Sequence, residues 1–407
     1  MYERNLYIDR ITPLIDTPVI KVITGMRRVG KSCLLKLIIE KLRAGNVKTQ
    51  QIVYINKESM EFDFIRNYQD LHTYVKKRFV SVKGPKYLFV DEIQEIEKWE
   101  KAITSFFSDA DIDIFITGSN AHLLSSEIAT LISGRYVEIP VYALGFEEFL
   151  LFRGVEKQDT NREFATFLRY GGFPAIHHFD LEEEAVYQYI SALYDTILLK
   201  DVIKRNNVRN IHLLENVSRY LFDNIGNIFS AKKVADYIRS QRMSVGVETV
   251  QNYITYLLST FAIHKVSRYD IKGKRLLELH EKYYLGDIGM RHAILGFREG
   301  DISGLLENLV FLELKRRGYK IFIGQSGKQK IDFIAEKKNR KIYIQVAYLL
   351  AAPETLEREF SVLLRINDNY PKYVLSMDTV FGNDVQGIQR INLVDFLLGH
   401  NRAKEQK

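Results

Sequence analysis

Short apolar runs separated by amphipathic stretches fill the first third of the chain. Val19–Thr24, Gln51–Asn56, Tyr87–Val90 and Ile112–Thr117 are four to six residues long and read as buried strands. Between them Lys31–Leu42, Tyr68–Phe79 and Trp99–Phe107 carry helical spacing. Strands that are apolar throughout, alternating with helices, predict a parallel sheet covered on both faces. From Phe146 to Lys204 the pattern is helical, broken at Gly171-Gly172-Phe173-Pro174, which cannot continue a helix and marks a bend.

Three helices come next. Leu214, Val217, Leu221 and Ile225 share one face, and Ser230 caps a short helix with Val234, Tyr237 and Ile238. Val250, Tyr253, Ile254, Leu257 and Leu258 then follow the i, i+3, i+4, i+7, i+8 pattern. Ala262–Tyr269 and Leu276–Tyr284, joined by Lys272-Gly273-Lys274, read as a hairpin, and three helices with a two-stranded wing predict a winged helix. The remainder reads helix Leu305–Arg317, strands Tyr319–Gly324, Ile331–Glu336 and Lys341–Val346, helix Glu354–Ile366 and strand Lys372–Ser376. The expected division is therefore an α/β core over 1–145, a helical lid over 146–204, a winged helix over 205–290 and a second α/β domain over 291–407.

Composition narrows the class. At 407 residues, 46% hydrophobic and 27% charged, the chain has the make-up of two or three folded domains. No apolar run reaches the roughly 18 residues a membrane span needs, and the N-terminus lacks a signal-peptide core. A single cysteine, Cys33, forbids an internal disulfide and suits a cytoplasmic protein; on the helix after residue 32 it is expected to be buried. The net charge of +7 is concentrated between Phe261 and Lys341, where 18 Lys/Arg face 10 Asp/Glu. Such a segment suits DNA phosphates, and solvated helix faces give the same count.

The chemistry is densest after the first strand. Gly25-Met26-Arg27-Arg28-Val29-Gly30-Lys31-Ser32 fits G-x-x-x-x-G-K-[ST] and opens the first long helix. Glycines let consecutive N–H groups turn inward on phosphate oxygens, and the helix N-terminus adds partial positive charge. Lys31 then bridges the β- and γ-phosphates of ATP, and Ser32 ligates Mg²⁺, with Gly25 to Cys33 forming the binding segment. The strand Tyr87–Val90 runs into Asp91-Glu92. A strand this apolar delivers Asp91 to the ligand crevice as a magnesium partner and Glu92 as the residue that orients the attacking water. Ser119 or Asn120, at the next strand end, is the candidate γ-phosphate sensor.

The order of GMRRVGKS, YLFVDEIQEI, FITGSNAHLL, SGRYVEIPVYALGFEEF and YGGFP resembles a family of bacterial and archaeal AAA+ ATPases that carry a C-terminal domain of unknown function. The resemblance covers nearly the whole chain. It implies a P-loop NTPase core in which Arg27, Arg28 or Arg135 contacts phosphates or a neighbouring copy, Arg135 as an arginine finger or as a structural ion-pair partner.

Two downstream surfaces carry further expectations. Thr249, Gln251, Asn252 and Thr255 on the third helix, with Lys265, Arg268, Lys272, Lys274 and Arg275 on the wing, form a candidate DNA surface. The element order of the last domain is that of restriction-endonuclease-like folds, with Glu307 (or Glu313) and Asp332 at its first two metal positions. Gln345 stands at the third, and Ala347 replaces the usual lysine, leaving Lys330 or Lys372 to reach in. A degenerate, non-cleaving site is expected. The readings are thus an ATPase coupled to DNA, a regulatory switch for a protein partner, or an ATP-gated nuclease. The pair His177-His178 is read as solvated or capping.

Overall fold

The computed structural model describes residues 2–109, 111–121, 134–155, 160–271, 273, 275–326, 329–379 and 384–399. The chain forms two compact units, one of Met1–Val141 with Ser259–Phe261, the other of Tyr142–Leu258 with Ala262–Lys407.

The first unit is the expected α/β core. Strands β1 (Ile20–Thr24), β2 (Ile52–Asn56), β3 (Lys86–Asp91), β4 (Ile112–Gly118) and β5 (Tyr136–Pro140) form one sheet in the order β2-β3-β4-β1-β5. Every pairing is parallel. Alternate strand residues explain how both faces are filled. Ile20, Val22, Val53, Ile55, Leu88, Val90, Ile114 and Ile116 pack with Leu71, Val75 and Phe79 of α3 (Tyr68–Phe79) and with Trp99, Ile103 and Phe106 of α4 (Trp99–Ser108). On the intervening positions Phe89 and Phe115 stack at 4.6 Å, and α2 (Lys31–Ala44) packs against β3 and β4. A short helix, α1 (Asn5–Ile11), precedes the sheet and buries Tyr7 and Ile11. Because β4 lies between β1 and β3, their carboxyl ends open a crevice where the chain leaves in different directions, the place where open α/β sheets bind ligands.

The second unit begins with α5 (Phe146–Arg153), α6 (Thr160–Tyr170) and α7 (Glu183–Thr196), the last running into a π-helical stretch, Ile197–Lys204. The glycine bend is as sharp as its sequence demands. Gly171 has φ of 75°, and a Cβ there would lie 2.2 Å from Asp287 Oδ1. Asp287 accepts from the N–H of Gly172 at 2.6 Å, and Gly172 has no room for a Cβ either, 2.4 Å from the carbonyl of Leu144.

The three expected helices are present as α8 (Ile211–Asp223), α9 (Ala231–Ser240) and α10 (Val247–Ser259), followed by a hairpin of β7 (Ile263–Asp270) and β8 (Arg275–Leu285). A two-residue strand, β6 (Ile228–Phe229), lines the outer edge of β8. The hairpin does not stand apart from the strands that follow it. Its β7 pairs in parallel with β9 (Lys320–Ser326), setting Arg268, Tyr269 and Asp270 beside Ile323, Gly324 and Gln325. One eight-stranded sheet results, in the order β13-β12-β11-β10-β9-β7-β8-β6. Its remaining strands are β10 (Gln329–Lys337), β11 (Arg340–Val346), β12 (Lys372–Ser376) and β13 (Ile388–Asn392). A free strand edge is a row of unpaired N–H and C=O groups, and the pattern along a strand says nothing of which edge will cover it. Around this sheet lie α11 (Ile288–Leu295), α12 (Ile302–Arg316), α13 (Pro353–Leu364) and α14 (Leu393–Leu397). β13 and α14 had no counterpart in the sequence reading.

Candidate functional site

The loop from β1 to α2 has the backbone that its glycines predict. Gly25 has φ of 147°, Arg28 64° and Gly30 99°. At Gly25 a Cβ would stand 2.2 Å from the carbonyl oxygen of Val141, so the loop's entry excludes any larger residue. Gly30 precedes α2 in left-handed conformation with no side chain capping the helix, which leaves first-turn N–H groups of α2 for an anion. Lys31 is buried within the loop. Its ammonium donates to the carbonyl oxygens of Gly25 and Met26, both at 3.0 Å, and lies 3.5 Å from Glu92 Oε1. Ser32 is half-buried at the start of α2, and Cys33 is exposed, not buried as expected, because the first turn of α2 borders the crevice rather than the core.

The acidic pair meets this loop from the end of β3. Asp91 is buried, with Oδ1 accepting from Thr117 Oγ1 at 2.5 Å and Oδ2 from the Tyr54 hydroxyl at 3.2 Å. Glu92 takes a left-handed conformation, φ of 54°, uncommon for a residue with a Cβ and held here by its N–H donating to Thr117 Oγ1 at 2.9 Å. Its Oε2 accepts from Ser119 Oγ at 3.0 Å and from Gln94 Nε2. Burial opposes ionisation of Glu92, but Lys31, Gln94, Arg27 and Ser119 outweigh it and hold its carboxyl below the ordinary range. A charged carboxylate thus waits beside the lysine of the phosphate loop.

The residues fit a magnesium nucleotide. The donors are backbone N–H groups and one ammonium for phosphate, with one hydroxyl and one carboxylate on the metal side. Among the described residues no group of three or more His, Cys, Asp or Glu side chains is placed to hold a metal.

Of the other candidates, Asn120 is buried just beyond β4, at the same end of the sheet, although it is Ser119 that touches Glu92. Arg27 lies 3.6 Å from Glu58, and Arg28 is exposed. Arg135 is not brought to the site. It sits just before β5, where its carbonyl accepts from Ile20 N–H at 2.7 Å and its guanidinium lies 5.6 Å from the Phe107 ring centroid, at the amino ends of the strands. Sequence reasoning missed Arg4. This buried arginine donates from Nη1 to the carbonyl of Val29 at 2.8 Å and covers the ring of Tyr7 at 4.5 Å.

In the second unit, Glu307, Asp332 and Gln345 do converge, and the lysine among them is neither Lys330 nor Lys372. Lys282 of β8 places its ammonium 2.6 Å from Glu307 Oε1 and 3.4 Å from Asp332 Oδ1. Burial would lower the Lys282 pKa, but the two carboxylates outweigh it and raise it. Lys372 is bound to Asp368 at 3.3 Å, and Lys330 is exposed at the rim. Both ends of the Gln345 amide are occupied, the oxygen by Asp332 N–H at 2.7 Å and the nitrogen by Glu359 at 2.6 Å. The alternative Glu313 is engaged by Arg316 and Arg317 at 3.1 and 2.8 Å. His177, expected to be solvated or capping, lies 4.8 Å from the ring of Phe149 and 5.6 Å from that of Phe152. On the face proposed for DNA, Gln251, Asn252 and Thr255 are exposed and Thr249 is half-buried, whereas Lys272 and Lys274 lie outside the described residues. Lys265 is paired with Glu281 at 2.9 Å.

A parallel sheet whose carboxyl edge carries this loop and this acidic pair has the architecture of a P-loop nucleotide-binding domain. The AAA domain family matches residues 17–150, and a domain of unknown function, DUF8612, matches 161–301. The chain belongs to the family of an uncharacterized protein of Haemophilus influenzae, to which it is 36% identical over 400 residues, covering 98% of this chain and 99% of that protein. An uncharacterized protein of Methanocaldococcus jannaschii is 31% identical over 389 residues, 92% of this chain and 85% of its own length. Among solved structures, the Aeropyrum pernix ORC1 protein in complex with DNA aligns at TM-score 0.33 and 12% identity, over 72% of this chain and 92% of that one. The Aeropyrum pernix ORC2 protein aligns at 0.37 and 12%, over 64% and 84%. These likenesses are too loose to speak for ligand or assembly. No helix among the described residues is long and apolar enough to cross a membrane.

Proposed function

We propose that this chain binds ATP with magnesium and hydrolyses it, and that nucleotide state governs how its C-terminal half engages DNA. The observation that carries the first part is the Lys31 ammonium 3.5 Å from the Glu92 carboxylate inside a glycine-shaped loop. In this reading Lys31 and the loop N–H groups hold the β- and γ-phosphates, and Ser32 and Asp91 hold magnesium, which supplies charge neutralisation to the transferring phosphoryl group. Once Lys31 turns to phosphate, Glu92 is released to orient a water and accept its proton, with Ser119 and Gln94 fixing the carboxylate. Arg135, remote from its own chain's loop, serves as a finger only to a second copy in a homo-oligomer.

DNA binding is supported by the exposed Gln251, Asn252 and Thr255 of α10 and by the basic segment 261–341. The pairing of β7 with β9 favours a second reading, a switch for a protein partner, because a hairpin held in a sheet is less free to follow a groove. The Gln345 amide, engaged at both ends where a metal-binding carboxylate is usual, supports a C-terminal domain that does not cleave. The test is ATP turnover with and without duplex DNA, beside DNA retention at rising salt. DNA binding through several phosphates loses affinity steeply with salt, and salt-independent retention together with turnover indifferent to DNA would select the protein-partner switch.

A further inference from the structure

A side chain from the very start of the chain reaches the phosphate loop. Tyr7 and Ile11 are wholly buried and anchor α1. Arg4, just before that helix, has its carbonyl taken by the N–H of Tyr7 at 2.9 Å, and its guanidinium lies over the Tyr7 ring at 4.5 Å. Main chain and side chain are thus both fixed, and Arg4 is only 4% exposed. Taking a guanidinium out of water is unfavourable unless its N–H groups are used. Here Nη1 donates to the carbonyl oxygen of Val29 at 2.8 Å. Among the described residues beyond its chain neighbours, the same nitrogen is the nearest atom to where a Gly30 Cβ would stand, at 3.7 Å.

That bond fixes more than an oxygen. Val29 and Gly30 share a planar trans peptide, in which C=O and N–H point in opposite directions. With the carbonyl turned to Arg4, the Gly30 N–H is turned away from it. That N–H donates to no backbone carbonyl among the described residues. It stands next to Lys31, whose ammonium is tied to the carbonyls of Gly25 and Met26 across the loop, and directly before the uncapped first turn of α2. A peptide followed by glycine turns over easily, because glycine accepts either sign of φ. Turned over, this one would present its carbonyl oxygen, which repels a phosphate, where the N–H now stands.

We infer that Arg4 is a positioning residue for the phosphate loop: by holding the Val29 carbonyl it keeps the Gly30 N–H aimed at a phosphate oxygen. It acts through the loop and not by touching the nucleotide. The inference rests on the proposal that this loop binds ATP, and it specifies what the N-terminal segment contributes there, which is grip on phosphate and not recognition of the base.

The test variant is Arg4→Met, whose thioether keeps the Tyr7 ring covered and removes the donor. Calorimetry on the full chain with magnesium compares ATP with inorganic tripolyphosphate, which has the phosphates and no base. Both should bind the wild type, and both should bind Arg4→Met more weakly by the same factor, roughly tenfold or more. A loss confined to ATP would assign Arg4 to the base, and equal affinity in the two proteins would leave it no part in binding; either overturns the inference. If the wild type binds neither probe, the ATP reading itself fails and this inference with it.

A second measurement does not depend on how the variant folds. Labelling valine carbonyls with ¹³C and glycine with ¹⁵N singles out two peptide groups, Val29–Gly30 and Val245–Gly246. In the wild type the Gly30 amide proton should move downfield as tripolyphosphate saturates the loop, the mark of a short hydrogen bond to an anion, while the Gly246 signal stays in place. In Arg4→Met that shift should shrink by roughly half or more. A Gly30 signal that stays still in the wild type, or moves as far in the variant, overturns the inference.

Discussion

Glu92→Gln keeps the shape of the side chain and removes its charge. In the present geometry the carboxylate faces Lys31 at 3.5 Å, with both groups almost wholly buried. At an effective dielectric near 20, two unit charges at that distance attract by about 5 kcal/mol. Most of that offsets the cost of taking both ions out of water, leaving ~1–2 kcal/mol that a triphosphate must overcome to draw Lys31 onto its oxygens. The amide variant keeps contacts with Ser119 and Gln94 but releases the lysine. ATP should therefore bind roughly 5- to 30-fold more tightly to the variant. Turnover should fall by about 10²- to 10⁴-fold, because an amide cannot take a proton from water. Calorimetry with ATP and magnesium gives the first quantity, and continuous phosphate release gives the second. Weaker binding would show that Lys31 is not held back by Glu92, and unchanged turnover would show that another group activates the water.

Other consequences can be checked alongside. Lys31→Ala should lose ATP affinity by about 100-fold or more, since a charge-assisted phosphate contact has no replacement in the buried loop; calorimetry reads it. Gly25→Ala places a methyl 2.2 Å from the Val141 carbonyl at φ of 147°, and should abolish nucleotide binding and lower the urea midpoint. Gly171→Ala meets Asp287 at 2.2 Å with φ of 75° and should destabilise the second unit by ~2 kcal/mol or more while ATP binding at the first unit persists. Burial pushes His264 down to about 3 and His292 to about 4, with nearby Lys315 and Arg291 adding to the effect. Folded-state pKa values below the ordinary 6.5 mean that the unfolded chain binds more protons, so the stability these residues confer is complete above pH 6.5 and lost as pH falls towards 4. A urea midpoint for the second unit that does not drop between pH 7.5 and pH 5 would contradict this.

The phosphate loop and Asp91-Glu92 were legible because both signals are local. Each is a fixed spacing attached to an apolar strand, and the sheet then has to bring the strand ends together. The strands of the first unit were legible for the same reason, being apolar at every position, as strands covered on both faces must be. What escaped depended on distant partners. Arg4 is a lone arginine before a seven-residue helix, and nothing in its neighbours points to the Val29 carbonyl. Lys282 lies on a strand that pattern assigned to a wing, and only the parallel pairing of β7 with β9 carries that hairpin to Glu307 and Asp332. The exposure of Cys33 and the aromatic packing around His177 likewise follow from which surface covers a helix, which periodicity alone does not specify.

The unbroken sheet from β6 to β13 also sets how the protein can be taken apart. A fragment ending at residue 290 would carry β7 with the edge that β9 protects laid bare, and the complementary piece would expose the matching edge of β9. Each would present a sticky ribbon to its own kind, so insoluble aggregates are the natural fate of either half produced separately. Mixed during refolding, the two should rescue one another. Lys282 would travel with the first piece and its two carboxylates with the second, so the reunited edge would restore a charge triad that neither piece can assemble by itself.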